Sequence, residues 1–217
     1  MDDLSKIYRE RFENTGLARR DRVWKILCRD FFDAKIPAGG TVMDLACGYG
    51  EFINNIAAGE KYAVDLNPDA PRHLSPNVKF RMSPATDLSG IGNGICDVVF
   101  TSNFLEHLRN KEECDVVLKA VKDVLKPGGK FIILGPNIRY AYKEYWDFYD
   151  HYLPLSHLSL AEGLKLAGFK VTDVVPRFLP YTMNGNMPSS DMLVKAYLKM
   201  PFAWKIFGKQ FLVTAEK

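Results

Sequence analysis

The stretch that decides the fold is VMDLACGYG, residues 42–50, in which a short apolar run ends in two glycines one residue apart. The run has the length of a buried strand, and we predict a strand over residues 41–46. Gly48 and Gly50 allow the tight turn and the close backbone approach that a bound ligand requires. Because ligands in an open α/β sheet bind outside the carboxyl ends of the strands, this loop is the predicted ligand loop.

An acidic residue closes the next predicted strand, over residues 61–66. Asp65 lies about 15 residues after Gly50, near the spacing expected for a carboxylate that binds a ribose. Such a carboxylate can accept hydrogen bonds from both vicinal hydroxyls of the ribose at once. The alternative is that Asp65 only stabilises the turn over residues 66–69. The third glycine of the dinucleotide fingerprint is missing, which argues against a nicotinamide dehydrogenase.

Predicted strands and helices alternate along the chain. Further strands are predicted at 77–82, 95–101, 130–134, 169–175 and 210–215, and helices at 4–32, 51–58, 111–125 and 159–167. Alternation of this kind implies crossover connections, and therefore an α/β fold with a mostly parallel, doubly wound sheet. Residues 126–129 are a predicted stop between helix and strand. We expect one domain over residues 1–217, with an N-terminal helical cap at 1–36 and insertions at 137–160 and at 176–209. Residues 176–208 are predicted to be irregular.

The composition is that of a globular protein with little charge bias. Of 217 residues, 47% are hydrophobic and 25% charged, which argues against disorder, and a net charge of +3 without a dense basic run argues against a nucleic-acid partner. No apolar run approaches the roughly 18 residues that cross a bilayer, and no signal peptide is visible, so we expect a cytoplasmic protein without an integral membrane segment. The scattered cysteines predict free thiols and no metal site. They are Cys28, Cys47, Cys96 and Cys114.

Five segments, in this order, resemble the motifs of the class I S-adenosylmethionine-dependent methyltransferases. They are residues 42–50, 63–67, 85–88, 96–108 and 125–130. The resemblance implies a Rossmann-like, seven-stranded sheet with an antiparallel last strand and helices on both faces. It also implies that the chain is an enzyme that uses S-adenosylmethionine and releases S-adenosylhomocysteine. A non-catalytic scaffold that binds the same cofactor remains an alternative.

The resemblance also implies which residues bind the cofactor. The methionine end would be lined by Asp44, Ala46, Gly48 and Gly50. The ribose hydroxyls would be held by Asp65, with Leu66 against the adenine. The adenine amino group would be held by Asp87, with Leu88 nearby, and the sulfonium would be flanked by Asn103 and Phe104. For Asn103 the alternative is a helix N-cap.

An aromatic-rich segment, residues 136–157, follows the predicted fifth strand and suits a wall for a ring-shaped acceptor. The alternative is a lid that only packs on the sheet. Within this segment His151 beside Asp150 is the preferred general base, and Tyr145 is the next candidate. Glu106 and His107 are also titratable, but adjacent residues of a helix point in different directions, so we expect no shared site.

The acceptor is expected to be a small molecule bearing a hydroxyl group. The end of the chain loosely resembles small bacterial-type methyltransferases grouped with polysaccharide or glycolipid biosynthesis, which implies O-methylation of a sugar or a glycolipid precursor. Methylation of nitrogen or carbon in another metabolite is the alternative. Residues 192–209 combine apolar and lysine side chains, so a peripheral membrane contact, a dimer interface and a simple packing cap all stay open. We expect a monomer or a homodimer.

Overall fold

A seven-stranded sheet runs through the computed structural model, which describes residues 16–181 and 190–217. Across the sheet the order is β3 (Val78–Met82), β2 (Glu60–Asp65), β1 (Thr41–Leu45), β4 (Cys96–Ser102), β5 (Leu125–Pro136), β7 (Gln210–Glu216) and β6 (Lys170–Val175). The first five strands are parallel, and β7 is antiparallel to both of its neighbours. The Rossmann-like sheet with an antiparallel last strand is therefore confirmed.

Helices cover both faces of this sheet. They are α1 (Leu17–Leu27), α2 (Glu51–Asn55), α3 (Lys111–Val124), α4 (Ile138–Ala141), α5 (His157–Leu166), α6 (Asp191–Leu198) and α7 (Pro201–Phe207). Because successive strand residues point to opposite faces, Val42 belongs to the core under α1 and α2, whereas Met43 belongs to the core under α3 and α5. Each central strand therefore reads as a nearly continuous apolar run, as expected for a sheet buried on both sides.

The strand order reverses next to β1. The chain passes from β1 to β2 and β3 on one side and then returns to β4 and β5 on the other. In the register of the sheet Asp44 pairs with Ala63 and with Phe100, so the carboxyl ends of three strands meet at one edge. This edge is the topological switch point, where open α/β sheets bind their ligands.

Two predicted boundaries were wrong. The helix that starts at residue 51 ends at Asn55 because Ile56 turns to an extended conformation and buries its side chain in the core. The predicted stop at residues 126–129 is part of β5. The N–H of Gly128 donates to the carbonyl of Lys217, and the carbonyl of Gly129 accepts from the N–H of Lys217. Contacts with distant parts of the chain override the local turn signal in the second case.

The predicted irregular segment, 176–208, contains the helices α6 and α7 in its described part. Ser190 caps α6 by accepting from the N–H of Leu193, and Pro201 is the first residue of α7, where its missing N–H costs nothing. Trp204 of α7 packs edge-on against the ring of Phe178 at 5.0 Å. The helical prediction at the N-terminus is confirmed for Leu17–Leu27, and its first part, residues 4–15, lies outside the described residues.

No helix within residues 16–181 and 190–217 combines the length and the apolar character needed to span a membrane. The four cysteines are buried free thiols, as predicted from their spacing. Burial raises the pKa of each thiol above its ordinary value, and that of Cys114 reaches about 11. These side chains are therefore small apolar groups of the core.

Candidate active site

The loop after β1 adopts a series of left-handed backbone conformations. Ala46, Gly48 and Gly50 have φ angles of 57°, 55° and 77°. The N–H of Gly50 donates to the carbonyl of Cys47 at 2.8 Å, and the N–H of Cys47 donates to Val64 of β2 at 3.1 Å. The loop is thus a tight turn attached to the neighbouring strand, and its backbone faces the switch point of the sheet.

A side chain at Gly50 would be strained mainly through the backbone. Its φ of 77° disfavours any L-residue with a Cβ, and an added Cβ would also force the end of the Leu74 side chain to move. We expect Gly50→Ala to lower the free energy of unfolding by roughly 1–2 kcal/mol, since this is the usual cost of a left-handed conformation, and to weaken cofactor binding because the loop must shift. Thermal melting and calorimetry measure the two effects.

Gly163→Ala is the matched control for this glycine variant. Gly163 lies inside α5, and no atom lies within 4 Å of an added Cβ. Alanine there should leave cofactor binding unchanged and raise stability by roughly 0.4–1 kcal/mol. Equal behaviour of the two variants would contradict the proposed constraint on the loop.

The Asp65 carboxylate anchors the glycine loop. Its Oδ2 accepts from the N–H of Gly48 at 2.7 Å, and its Oδ1 accepts from the N–H of Asn67 at 2.7 Å. Burial raises the pKa of Asp65, and the N–H donors of Asn67, Gly48 and Leu66 oppose that rise. Asp65 therefore stabilises its own turn and also the ligand loop. Each oxygen keeps lone-pair capacity for a further donor, as binding of ribose hydroxyls requires.

Asp44 lies below this loop at the end of β1 and is only 4% exposed. Burial, together with the nearby carboxylates of Glu51 and Asp65, holds the pKa of Asp44 well above its usual range, although the Ile53 N–H donates to it. A buried carboxyl group beside two acidic neighbours favours a cationic or hydrogen-bond-donating partner. The positively charged methionine end of the cofactor has that chemistry.

The residues predicted around the adenine occupy different environments. Leu66 is 64% exposed at the end of β2, where a flat ring could cover it. Asp87 is exposed and accepts from the hydroxyl and the N–H of Ser89, so it closes its own loop. Leu88, in contrast, is buried in the core under α3 rather than on an open surface.

The chain after β4 contains the two residues predicted beside the sulfonium. Asn103 is exposed, has a φ of 48°, and donates its N–H to the carbonyl of Leu134. Phe104 packs partly on the core. The alternative role of Asn103 as a helix N-cap is wrong, because the one-turn 3-10 helix Leu105–His107 begins after Phe104 and has no side-chain cap.

A cluster of titratable side chains lies directly beyond this point. The ligand atoms of Glu106, His107 and His151 all lie within 4.8 Å of one another. The expectation that Glu106 and His107 cannot share a site was therefore wrong. It assumed an extended α-helix, whereas the residues form one 3-10 turn whose end bends into an extended chain at Leu108. The expectation of no metal site rested on the scattered cysteines, and this group of a glutamate and two histidines lies outside that reasoning.

Asp150 contacts His107, a partner that adjacency in the chain did not predict. The Nδ1 atom of His107 lies 3.2 Å from Oδ2 of Asp150 and 2.9 Å from the carbonyl oxygen of the same residue. Burial lowers the pKa of His107, but the hydrogen bond to Asp150 and the charge of Glu106 outweigh it, so the pKa lies above its usual value. The imidazole is thereby held in one orientation.

Glu106 and His151 complete the cluster, which we call the EHDH cluster (Glu106, His107, Asp150 and His151). Glu106 is 3% exposed, and burial raises its pKa to about 7 against the lowering effect of His107. The ring of His151 is edge-on to that of His107, with 5.0 Å between the centroids. A carboxyl group whose pKa lies near neutrality, beside two imidazoles, is suited to proton transfer.

Tyr145, the other predicted catalytic residue, supports the cluster. Its ring is fully buried 4.7 Å from that of His151, and its hydroxyl donates to the carbonyl of Leu153 at 2.7 Å. The phenol is thus committed to a backbone acceptor, and burial together with the charge of Glu106 raises its pKa further. Its position is that of a structural brace and not of an accessible base.

The comparisons with known proteins agree with this geometry. The family model that matches the chain, over residues 17–174, is that of a methyltransferase domain. The chain belongs to this methyltransferase family. Its enzyme class is therefore that of the S-adenosylmethionine-dependent methyltransferases. A search of curated proteins found no match to the sequence.

Solved structures resemble the methyltransferase over most of its length. A S-adenosylmethionine-dependent methyltransferase from Archaeoglobus fulgidus has a TM-score of 0.66 at 20% identity, over 91% of this chain and 94% of that one. The Haloferax volcanii complex between the Trm112 methyltransferase activator and a methyltransferase has a TM-score of 0.67 at 18% identity, over 99% of this chain and 94% of that one. A S-adenosylmethionine-dependent methyltransferase from Methanosarcina mazei has a TM-score of 0.63 at 16% identity, over 86% of this chain and 96% of that one. These likenesses show the fold.

Sequence reasoning missed two contributions to the methyltransferase site. Arg20 of α1 forms an ion pair with Glu51 at 2.7 Å, which places a cation at the start of α2 beside the glycine loop. No local pattern in the sequence predicts this ion pair. The EHDH cluster had a usable signal, since Glu106 and His107 follow a buried strand by a few residues and the carboxyl ends of parallel strands form the ligand edge.

Proposed function

We propose that the methyltransferase transfers the methyl group of S-adenosylmethionine to a hydroxyl oxygen of a small acceptor, such as a sugar or a glycolipid precursor. The observation that carries this proposal is the EHDH cluster, which begins three residues after Asn103 at the carboxyl edge of β4. An oxygen nucleophile must lose a proton as it is methylated, and this cluster contains groups that can take one.

For cofactor binding we propose Asp44 and the glycine loop at the methionine end, Asp65 at the ribose, and Leu66 at the adenine. Two features support the fit: a loop whose Gly50 has a left-handed φ that disfavours a side chain, and a carboxylate that is already oriented by backbone donors. The exposed carboxylate of Asp87 is the proposed acceptor for the adenine amino group. Leu88 contributes from the core by supporting that loop.

Bound S-adenosylmethionine supplies an electrophilic methyl group on a sulfonium whose sulfur leaves as a neutral thioether. The protein therefore needs no acid for the leaving group, and its main tasks are alignment and exclusion of water. We propose that Asn103 and Phe104 border the methyl group. The acceptor oxygen would lie between them and the EHDH cluster, whose imidazole nitrogens receive its proton, with Asp150 orienting His107.

The acceptor class is supported by the aromatic side chains near the cluster. Tyr142, Trp146 and Tyr149 are 57%, 59% and 89% exposed on the segment that leads to Asp150. Exposed aromatic faces are typical of surfaces that stack on sugar rings. We propose that residues 137–160 and the described parts of the second insertion, 176–181 and 190–209, form the acceptor side of the site.

The test is product formation with the purified full chain. Incubation with methyl-labelled S-adenosylmethionine and a panel of sugars, glycolipid precursors, phenols and amines should yield S-adenosylhomocysteine and a labelled methyl ether. Calorimetry with both forms of the cofactor and with NAD is the control for binding. Cofactor binding without turnover on any acceptor would favour the scaffold alternative, and labelled amines or carbon acceptors would overturn the O-methylation proposal.

Tyr145→Phe separates support from chemistry in the EHDH cluster. Loss of the hydroxyl leaves the buried carbonyl of Leu153 without its donor, so we expect stability to fall by about 1–2 kcal/mol and turnover to change less than about threefold. Thermal melting and initial rates at saturating acceptor measure the two. A rate loss near a hundredfold at unchanged stability would instead make the phenol the general base.

For the surface of α6 and α7 we propose a peripheral membrane contact. Met192, Phe202 and Ile206 are more than 60% exposed, and Lys195 and Lys205 lie on the same two helices. Apolar side chains mixed with lysines favour an anionic lipid surface. Co-sedimentation with anionic vesicles, compared with neutral vesicles and with the double variant Phe202→Glu/Ile206→Glu, tests this contact, and size-exclusion chromatography tests the dimer alternative.

A further inference from the structure

We propose that Glu106, His107 and His151 bind a divalent first-row transition-metal ion at the carboxyl edge of β4. Their ligand atoms lie within 4.8 Å of one another, and they form the one group of this kind in the described part of the chain. The inference goes beyond methyl transfer, because metal binding by these three side chains is measurable without cofactor or acceptor.

The ligand types favour a transition metal over magnesium or calcium. Two imidazole nitrogens and one carboxylate oxygen suit Zn²⁺, Fe²⁺ or Mn²⁺ and leave coordination positions open for other ligands, whereas Mg²⁺ and Ca²⁺ prefer oxygen alone. With metal–ligand bonds of about 2.0–2.2 Å, ligand atoms around one ion are roughly 3–4 Å apart. The ligand atoms lie within 4.8 Å of one another, so side-chain shifts of about 1 Å are enough to bring them to these separations.

The environment of His107 fits a metal ligand. Its Nδ1 lies within hydrogen-bond distance of the carbonyl oxygen and the carboxylate of Asp150, so in the neutral ring Nδ1 carries the proton. The lone pair is then on Nε2, which is the atom that can bind an ion. A carboxylate behind a ligating histidine is the usual outer-sphere arrangement, since it orients the ring and increases its basicity.

Glu106 gives an independent reason for a cation at this place. Its Oε1 atom is buried and has no hydrogen-bond partner among the residues that the structure describes. A buried carboxylate oxygen without a donor is costly, and a bound cation removes that cost. The ion would therefore satisfy a group that the surrounding side chains leave unsatisfied.

The backbone holds the two parts of the site together. The carbonyl of Glu106 accepts from the N–H groups of Tyr152 and Leu153 at 2.8 and 3.1 Å, which ties the ligand turn after β4 to the segment that contains His151. Three ligands on a braced frame lose little conformational entropy on binding. With an ion bound, the imidazole lone pairs are occupied and cannot take the proton of the acceptor. If the proposed O-methylation holds, an open position on the ion would then bind the acceptor hydroxyl and lower its pKa, and the proton would leave to solvent.

The test measures metal binding by the full chain after chelator treatment and dialysis, without cofactor or acceptor. Titration with Mn²⁺, Co²⁺ and Zn²⁺, with Mg²⁺ as comparison, should show one site of roughly micromolar affinity for the transition metals. Bound Co²⁺ should also give a visible absorption spectrum. Absence of saturable binding at millimolar metal, or a preference for Mg²⁺, would overturn the proposal.

Variants locate the ion. Glu106→Gln, His107→Gln and His151→Gln should each weaken binding at least tenfold, and Asp150→Asn should weaken it roughly 10–100-fold through His107. The matched control is His73→Gln, an exposed histidine outside the cluster, which should bind like the wild type. Equal binding by all variants would place the ion elsewhere and refute the site.

Circular dichroism of each variant checks that the substitution leaves the protein folded. Where a substitution prevents folding, the wild-type protein still decides the matter: metal should raise its melting temperature, and the histidine ligands should appear in the spectrum of bound Co²⁺. Because neither measurement involves methyl transfer, failure of the metal site and failure of the proposed O-methylation give different results.

Discussion

Asp65→Ala should weaken the binding of S-adenosylmethionine by roughly tenfold to several hundredfold. Each charge-assisted hydrogen bond to a ribose hydroxyl contributes about 1.5–3 kcal/mol, and the variant loses both. It also loses the two backbone bonds that hold the glycine loop, to Gly48 and Asn67, so the upper part of this range is expected. Calorimetry and ligand-induced shifts in melting temperature measure the loss.

Asp65→Asn distinguishes the carboxylate from a simple turn former. An amide keeps one acceptor oxygen but turns an NH2 group toward one of the backbone N–H donors, so binding should be intermediate between the wild type and Asp65→Ala. The control is Asp69→Ala in the same turn, where the exposed ion pair with Arg72 contributes little. A ligand-induced shift equal to that of the wild type in Asp65→Ala would remove this residue from the cofactor site.

The largest expected loss of stability is that of Phe100→Ala. This fully buried ring of β4 stacks on Phe52 of α2 with 3.7 Å between centroids and meets Trp24 edge-on at 5.9 Å. Removal of a buried phenylalanine costs about 3–5 kcal/mol through lost transfer energy and a residual cavity. In a domain of this size the melting temperature should fall by roughly 10 °C. Differential scanning calorimetry measures the shift.

Cofactor binding should suffer together with stability in Phe100→Ala. Phe52 belongs to the helix that starts at the end of the glycine loop, so loss of its partner loosens the attachment of that loop to the sheet. The matched control is Phe202→Ala, where the ring is 63% exposed and the melting temperature should change by less than about 2 °C. Similar losses of stability and cofactor binding in both variants would show that the ring contacts of Phe100 with Phe52 and Trp24 do not anchor the loop.

The sequence by itself determined the sheet and the ligand loop, because both depend on local signals. Apolar runs of strand length, separated by helical periods, imply crossover connections and therefore parallel strands with a switch point beside β1. The glycines after that strand and Asp65 at the end of the next one are also readable locally. The structure shows Asp65 in the turn-stabilising role that the sequence left open, and it adds a bond from the Gly48 N–H that the sequence did not predict, whereas ribose binding stays a prediction.

The tertiary structure alone decided the composition of the EHDH cluster and the helices α6 and α7. His107 and His151 are 44 residues apart, and no periodicity relates them, so only the packing of residues 150–153 against the turn after β4 brings their rings together. Adjacency is incomplete in the same place: Asp150 neighbours His151 in the chain and also contacts His107 in space. Local patterns indicate which face of an element is buried, whereas pairing between distant loops depends on backbone hydrogen bonds between segments far apart in the chain.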